Sequence, residues 1–387
     1  MIEHVDILIV GGGPVGATLA LALQSQGLRV MVLEAQQDHL PRKDARTLAI
    51  SYGSRLILER LDIWRRLPEA TAINTIHVSQ RGGFGSIALS ADQSGVPALG
   101  YVIDYSALNH ALHTALRDSD THYHTGARVT RIETTARYAV AYFEDSQGAQ
   151  QITANLLVLA DGGRSLGEIK GIARRVRDYH QSAVVAQVET ELPHANVAFE
   201  RFTPSGPVAL LPNQTGFSLV WTVQPEQAEN LCQLDDARFL KQLHDHFGDR
   251  VGKFISVGKR AHFPLSLKYA VPITAQRLVL IGNAAQILHP VAGQGFNLGL
   301  RDAWELSVLL TNASRSAIGE QAMLMRYQAQ RRVDTDGGIL FTDALVRGFS
   351  NDYMLLRQGR GLMLAALGSL PPLKKSLARK MMFGARG

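Results

Sequence analysis

The segment at residues 278–302, LVLIGNAAQILHPVAGQGFNLGLRD, joins residue types that suit the binding of a flat, reducible ring. Its glycines Gly293, Gly295 and Gly299 leave the backbone bare where a planar ligand could lie. Apolar residues at helical spacing predict a helix over residues 294–309. The start of a helix carries unpaired N–H groups and a partial positive charge, which would stabilise negative charge on a reduced ring. The segment therefore predicts a redox-cofactor site, if other segments supply the remaining contacts.

A second glycine-rich segment, GGGPVG at residues 11–16, lies near the amino terminus. A buried strand is predicted before it and a helix after it, and the next predicted strand ends at Glu34. In this βαβ context Gly11 makes the tight turn, Gly13 lets the backbone approach a pyrophosphate, and Gly16 lets the helix pack on the sheet. Glu34 is placed to accept hydrogen bonds from an adenosine ribose. The unit alone fits FAD or NAD, and the second site far along the chain favours FAD.

The composition limits the possible classes of protein. The chain has 387 residues, 46% of them hydrophobic and 19% charged, which predicts a globular protein of two or three domains. The net charge of +6 is compatible with an anionic membrane or a nucleotide, but no basic run with interleaved aromatic residues predicts nucleic-acid binding. The single cysteine, Cys232, excludes an internal disulfide and argues against a metal centre built from cysteines. We therefore expect no metal, no secretory signal, no membrane-spanning helix and a cytoplasmic location.

The pattern of predicted elements changes along the chain. From about residue 182, short alternating runs separated by Pro, Gly and Asn predict an antiparallel sheet, and the α/β pattern returns at residue 277. The predicted fold class is α/β: a Rossmann-like FAD-binding domain is interrupted by an antiparallel-sheet substrate domain and followed by a helical C-terminus. The predicted boundaries are 1–75, 100–180 and 272–345 for the FAD-binding domain, 76–99 and 181–271 for the substrate domain, and 346–387 for the C-terminal helices.

Three motifs occur in the order typical of one enzyme family: GGGPVG, then Asp161-Gly162, then IGNAAQ at residues 281–286. With them the chain resembles, over nearly its whole length, the class A flavoprotein monooxygenases, which include p-hydroxybenzoate hydroxylase. HPVAGQGFNLGLRD, at residues 289–302, is similar to the signature of the ubiquinone-biosynthesis hydroxylases within this group. The segment DARTLAIS, at residues 44–51, resembles their flavin-contacting segment.

Two further segments, IHVSQRGGFG at residues 76–85 and AFERFTPSGPVALLP at residues 198–212, resemble the subgroup that hydroxylates 2-octaprenyl-6-methoxyphenol. The wider family has Gly-Asp where this chain has Gly282-Asn283, and usually His at Gln286. Asparagine keeps an acceptor, adds donors and removes a charge near a pyrophosphate. We interpret the change as a mark of the subgroup; the alternative is weakened flavin binding.

The resemblance implies roles for individual residues. Arg46 would reach the flavin phosphates or the reduced ring, and Asp161 would contact the FAD ribose and the nicotinamide donor. Pro290 would lie beside the reactive edge of the flavin, and His289 either relays a proton or is held by the backbone. The alternatives for Arg46 and Asp161 are an exposed loop arginine and a strand-end turn without a ligand. The predicted cofactor-binding residues are Gly11, Gly13, Gly16, Glu34, Arg46, Asp161, Gly162, Gly282, Asn283, Gly293, Gly295, Phe296 and Asn297.

The reaction implied by the resemblance is hydroxylation of 2-polyprenyl-6-methoxyphenol in ubiquinone biosynthesis. NAD(P)H would reduce FAD, O2 would add at flavin C4a, and the hydroperoxide would hydroxylate the ring. Hydroxylation of a small soluble aromatic, or a flavin-binding scaffold without turnover, are the alternatives. Other ubiquinone-biosynthesis proteins are candidate partners.

A membrane-resident substrate also favours attachment at the inner face of the cytoplasmic membrane. The C-terminal pattern Leu373, Leu377 and Met381, interleaved with lysines and arginines, fits an amphipathic helix on an anionic surface. The same pattern fits a helix packed on its own protein.

Overall fold

The computed structural model describes residues 3–37, 46–67, 69–83, 85–165, 169–289, 293–349, 361 and 366–385. Within these residues the strands, in chain order, are β1 (Glu3–Val10), β2 (Val30–Glu34), β3 (Thr47–Ser51), β4 (Thr71–Ile73), β5 (Thr75–Gln80), β6 (Ser86–Ser90), β7 (Gly100–Asp104), β8 (His122–Thr125), β9 (Arg128–Thr134), β10 (Ala139–Asp145), β11 (Gly148–Leu159), β12 (Ala173–Thr190), β13 (Val197–Phe202), β14 (Val208–Asn213), β15 (Gly216–Val223), β16 (Phe254–Val257), β17 (Ala261–Val271), β18 (Thr274–Ala275), β19 (Leu278–Leu280) and β20 (Gln286–Ile287). The helices are α1 (Pro14–Ala22), α2 (Tyr52–Arg60), α3 (Ala91–Ser94), α4 (Tyr105–Arg117), α5 (Pro225–Gln233), α6 (Asp236–Phe247), α7 (Gln294–Thr311), α8 (Gln321–Phe349) and α9 (Pro371–Phe383).

The first sheet has the order β18-β19-β11-β1-β2-β8; β10 pairs antiparallel with β11, and β9 pairs antiparallel with β10. Strands β1, β2, β8, β11 and β19 are parallel. The apolar run from Ile7 to Val10 in β1 is buried on both faces of its sheet, and α1, α4 and α7 pack together on one of them. The carboxyl ends of β1, β2, β11 and β19 therefore meet at one edge, where the glycine-rich segments follow them.

The second sheet has the order β20-β17-β12-β15-β14-β13-β5-β6, with β16 beside β12. It is antiparallel except that β13 and β5 run parallel. Helices α5 and α6 cover one face over a core that contains Trp221, Phe239 and Phe247. A small sheet has the order β3-β7-β4; β4 and β7 contact β14 of the second sheet, and β3 contacts α7. The predicted fold class, an α/β FAD-binding fold interrupted by an antiparallel sheet and ending in helices, is confirmed.

Three of the predicted domain boundaries fall inside continuous elements, and the first of them, between residues 75 and 76, lies inside β5. β12 runs unbroken from Ala173 to Thr190, because its first half already pairs with β17 in the second sheet. A shift of register near residues 178–181 bends the strand instead of ending it. Helix α8 likewise continues past residue 345. The chain thus crosses these predicted boundaries without linkers.

The C-terminal helix α9 packs on its own protein. Ala378 and Met382 are buried in an apolar cluster with Ile87 and Leu89 of β6. The amino-terminal end of α9 carries an exposed leucine, Leu373, whose exposed fraction is 47%. Among the described residues, no helix combines the length and the apolar composition needed to cross a bilayer.

Candidate active site

Three glycines shape the loop between β1 and α1. A Cβ atom on Gly11 would lie 2.7 Å from the backbone of Asp161, and one on Gly16 would collide with the carbonyl oxygen of Gly11. A Cβ atom on Gly13 would meet no heavy atom within 4 Å. The first and third glycines therefore allow close packing, whereas the second borders open space at the start of α1. The free N–H groups of a helix start make that space suitable for a pyrophosphate.

Glu34 ends β2 beside this loop. One carboxylate oxygen accepts a hydrogen bond from the backbone N–H of Gly12 at 2.7 Å, and the other accepts from Gln36 at 2.9 Å. The two bonds fix the orientation of the carboxylate and leave lone pairs on both oxygens. Glu34 is therefore held where ribose hydroxyls could donate to it.

Asp161 and Gly162 form the turn after β11. The Asp161 carboxylate accepts from the N–H groups of Gly163 at 2.9 Å and Ser165 at 2.7 Å, so it caps this turn. Gly162 has a φ of +77° and borders open space, since a Cβ atom there would meet nothing within 4 Å. The turn lies against Gly11, which places the first and second motifs side by side.

The start of α7 lies against β3. Gly293 has a φ of +61°, and a Cβ atom on it would lie 3.1 Å from the Cβ of Ala49. A Cβ atom on Gly295 would meet nothing within 4 Å, so this first helical turn also borders open space. Phe296 is half-buried and packs against the core of the first sheet.

The side chain of Asn297 makes four hydrogen bonds, two of which join α7 to β3. Its side-chain oxygen accepts from the Ser51 N–H and the Ser54 hydroxyl, both at 2.7 Å. Its amide nitrogen donates to the carbonyl oxygens of Ala49 at 3.0 Å and Gly293 at 2.8 Å. All donors and both acceptor positions of the amide are thus used within the protein. The side chain of Asn297 is a positioning group for the helix start.

Asp302 of α7 holds the loop that contains Gly282 and Asn283 through hydrogen bonds to its carboxylate. One oxygen of this carboxylate accepts from the Gly282 N–H at 3.0 Å and from the Gln286 side-chain amide at 2.7 Å. The other oxygen accepts from Arg331 Nε of α8 at 2.7 Å. Asn283 itself is exposed. Burial raises the pKa of Asp302, whereas Arg331 and the donors from Gly282 and Gln286 act against this rise.

The ion pairs continue to the end of the chain. The Arg331 side chain is fully buried and also pairs with Asp334 at 3.1 Å. Asp334 in turn accepts from Arg301 Nε at 2.9 Å and from the N–H of Ala385 at 2.7 Å. Burial alone would raise the pKa of Asp334, but Arg301 and Arg331 outweigh it, and the pKa lies below its usual value. Sequence reasoning missed Asp302 and Arg331; the available signal was a charged residue on the apolar face of α7.

Two predicted residues lie at the margins of the described structure. Arg46 is exposed, and its guanidinium lies over the ring of Tyr105 at 5.0 Å from the ring centre. His289 is only 1% exposed and makes an edge-to-face contact with Tyr179 at 5.3 Å between ring centres. Burial lowers the pKa of His289 to about 4, so its ring is neutral near pH 7. Pro290 lies outside the described residues.

A narrow apolar cavity separates the start of α7 from the second sheet. The start of α7 and β3 form one wall, residues of β4, β5, β6 and β7 form another, and α9 closes the cavity. The lining residues are Ala49, Ile50, Ser51, Ile73, Ile76, Leu89, Leu99, Gly100, Gln294, Asn297, Ala378, Met381 and Met382. Among the described residues, no group of three His, Cys, Asp or Glu side chains could hold a metal ion.

Residues 4–335 match the family model described as an FAD binding domain. The chain belongs to this family. It is 36% identical to ubiquinone hydroxylase UbiL of Rhodospirillum rubrum, over 97% of this chain and 89% of the relative. It is 32% identical to 3-demethoxyubiquinol 3-hydroxylase of Escherichia coli, over 96% of this chain and 97% of the relative. The fold is that of p-nitrophenol 4-monooxygenase PnpA from Pseudomonas putida, with a TM-score of 0.81, 17% identity and full coverage of both chains.

This family member is an FAD-dependent monooxygenase. The structure fits the cofactor because Gly13 and Gly162, which border open space, follow β1 and β11 at one edge of the first sheet. Gly295, which also borders open space, lies in the first turn of α7, and Gly299 of this helix packs against Gly282, which follows β19. Two helix starts point their N–H groups into this region, which suits a pyrophosphate at one end and an electron-accepting ring at the other. The same edge carries the fixed carboxylate of Glu34.

Proposed function

We propose that the enzyme hydroxylates the ring of 2-polyprenyl-6-methoxyphenol in ubiquinone biosynthesis, with NAD(P)H and O2 as co-substrates. The observation that carries the proposal is the 36% identity, over nearly the whole chain, to a protein named ubiquinone hydroxylase. The apolar cavity beside the start of α7 supports it, because a prenylated phenol needs apolar walls near the flavin.

The residues of the chain have separate tasks in this proposal. Bound FAD would supply the redox chemistry that passes electrons from NAD(P)H to O2. The loop from Gly11 to Gly16 and the carboxylate of Glu34 hold the adenosine diphosphate end. The N–H groups of Gly295 and Phe296 stabilise negative charge on the ring system. Asn297 keeps this helix start in register with β3.

Exclusion of water is the second requirement. The cavity walls are apolar except near Ser51, Gln294 and Asn297, so a bound phenol would displace water from the reacting atoms. His289 is buried, and its ring is neutral near pH 7. The role of Arg46 at the flavin phosphates, and that of Pro290 at the reactive edge, remain part of the proposal.

The test is metabolite analysis of a strain that lacks the protein. Accumulation of the prenylated methoxyphenol supports the proposal. Accumulation of a demethoxyubiquinol would instead assign the ring position named for the Escherichia coli relative. Normal quinone content with no accumulated intermediate would contradict both. Purified FAD-loaded protein, supplied with the phenol, NADH or NADPH, and O2, should then yield the hydroxylated phenol. Preference for a small soluble aromatic would favour the alternative of a different substrate. No product from either compound would favour the alternative of a scaffold without turnover.

We also propose that the protein works in the cytoplasm, attached to the inner face of the membrane that holds the substrate. The exposed Leu373 and the neighbouring Lys375 at the start of α9 would contact the surface, while Met382 stays packed inside. Leu373→Glu should lower binding to anionic vesicles and leave the melting temperature unchanged. Equal vesicle binding by the parent and by Leu373→Glu would contradict the proposal that α9 contacts the membrane.

A further inference from the structure

Five basic side chains gather on the face of the second sheet that α6 covers. Arg201 lies on β13, and His77 lies on the adjacent strand β5. Arg81 follows the end of β5, and His246 and Arg250 lie at and beyond the end of α6. Three of the five belong to the segments at residues 76–85 and 198–212, whose role the proposed function does not explain.

His246 holds Arg81 in place, and His77 holds Arg250. Arg81 Nη1 lies 3.3 Å from Nδ1 of His246, and the Nε2 of His246 lies 2.9 Å from the hydroxyl oxygen of Thr203. The Thr203 hydroxyl donates to the carbonyl oxygen of Gly206 at 2.6 Å. Thr203 must therefore accept from His246 Nε2–H, and Nδ1 must accept from Arg81.

This arrangement requires a neutral imidazole. Burial, Arg81 and Arg201 together lower the pKa of His246 to about 4. Arg250 Nη1 likewise lies 3.3 Å from Nε2 of His77, and burial and Arg250 lower the pKa of His77. Both histidines thus act as acceptors for arginine and add no charge of their own.

Within the part of the chain that the structure describes, the positive charge of the cluster is offset only in part: the nearby carboxylate of Asp245 is bound to Lys241, and Arg81 also helps to lower its pKa. Among the described residues, no carboxylate forms an ion pair with Arg81, Arg201 or Arg250, and burial and the other two arginines lower the pKa of Arg201. Two donors also lack a partner in the described structure: the Nε of Arg201 and the Nδ1 of His77 are both buried. Buried donors of this kind are rare in folded proteins and normally face a water molecule or an ion.

We propose that Arg81, Arg201 and Arg250 form a binding site for a phosphoryl group, with His77 as an additional donor. Planar guanidinium groups match the geometry of phosphate oxygens, and an anion would relieve the repulsion among the three arginines. The ligand supplies a phosphate oxyanion, carried either by a soluble phosphate compound or by a phospholipid headgroup. The inference is independent of the proposed function.

The experiment measures binding to the FAD-loaded protein. The first probe is inorganic phosphate, titrated calorimetrically at constant ionic strength. The second is a pair of vesicles, one of phosphatidylcholine alone and one with phosphatidylglycerol. The variant is Arg201→Gln, and the control is Arg128→Gln, which removes an exposed arginine from β9 in the first sheet.

We expect saturable phosphate binding that Arg201→Gln weakens by at least about tenfold and Arg128→Gln leaves unchanged. If the binding of phosphatidylglycerol vesicles also depends on Arg201, the source is a lipid headgroup; if it does not, the source is a soluble phosphate. Absence of saturable phosphate binding, or equal weakening by the control, would overturn the proposal. Should Arg201→Gln fail to fold, the pair Arg81→Gln and Arg250→Gln, both exposed, carries the same test.

Discussion

Replacing Arg331 by methionine should expose how much the buried ion pairs contribute to the flavin site. Methionine fills most of the volume of the arginine stem but cannot pair with the carboxylates. Asp334 keeps Arg301 as a partner at 2.9 Å. Asp302, by contrast, is only 2% exposed and retains just its two neutral donors, Gly282 N–H and the amide of Gln286. The third carboxylate that pairs with Arg331, that of Glu305 at 2.9 Å, belongs to a side chain that is 26% exposed to water. The cost is therefore set mainly by the carboxylate of Asp302.

Loss of one partner from a buried ion pair costs about 3–5 kcal/mol of the free energy of unfolding. Burial already raises the pKa of Asp302, and removal of Arg331 would raise it further. A carboxyl group with a raised pKa in the folded state stabilises the fold at low pH and loses this contribution as the pH rises through that pKa. The deficit of Arg331→Met relative to the parent should therefore be smaller at pH 5 than at pH 7.5.

The assay is urea denaturation of the FAD-loaded proteins at both pH values, combined with measurement of the FAD retained after gel filtration. The double variant Arg331→Met with Asp302→Asn removes the unpaired charge but keeps an acceptor for Gly282, so it should recover part of the loss. A stability change below about 1 kcal/mol in Arg331→Met, with full FAD retention, would refute the reasoning.

Three further predictions concern single residues. Gly13→Ala should lower FAD retention without unfolding the protein. The control is Gly337→Ala, where a Cβ atom also meets nothing within 4 Å; this variant should retain FAD and stay folded like the parent. Gly384→Ala should lower the melting temperature more than Gly27→Ala, because both positions have a positive φ but only a Cβ at Gly384 would collide with Asp334 and Arg301. The pKa of His289 near 4 means that folding must keep this ring neutral as the pH falls from 6.5 to 4, so unfolding curves of His289→Gln should depend less on pH in that range than those of the parent.

The parts of the site that sequence reasoning located are those built from local geometry. The spacing of Gly11, Gly13 and Gly16 between a strand and a helix predicts that the first and third glycines are closely packed and that the second borders open space. In the structure a Cβ atom would collide with the backbone at Gly11 and Gly16 but would meet no heavy atom within 4 Å at Gly13. The strand after α1 ends at Glu34, as periodicity indicated. Local patterns of this kind need no knowledge of which distant segments meet.

The remaining contacts join residues far apart in the chain, and a single sequence does not show such pairs. Asn297 was predicted to bind the cofactor, but its partner Ser51 lies on a strand 246 positions earlier. Arg331 lies in a helix with many charged residues, where a charge is usually solvated. Its burial follows from the packing of α8 against α7, which periodicity alone could not orient.

The ion pairs link the end of the chain to the flavin site. Ala385 donates to Asp334, Asp334 pairs with Arg331, and Arg331 pairs with the carboxylate that holds the Gly282 loop. Helix α9, which ends just before this contact, also forms a wall of the apolar cavity. Displacement of α9 would therefore open the cavity and remove one donor from the buried charges at the same time. Because an incompletely satisfied buried charge network is costly, the native position of α9 and an intact Gly282 loop favour each other.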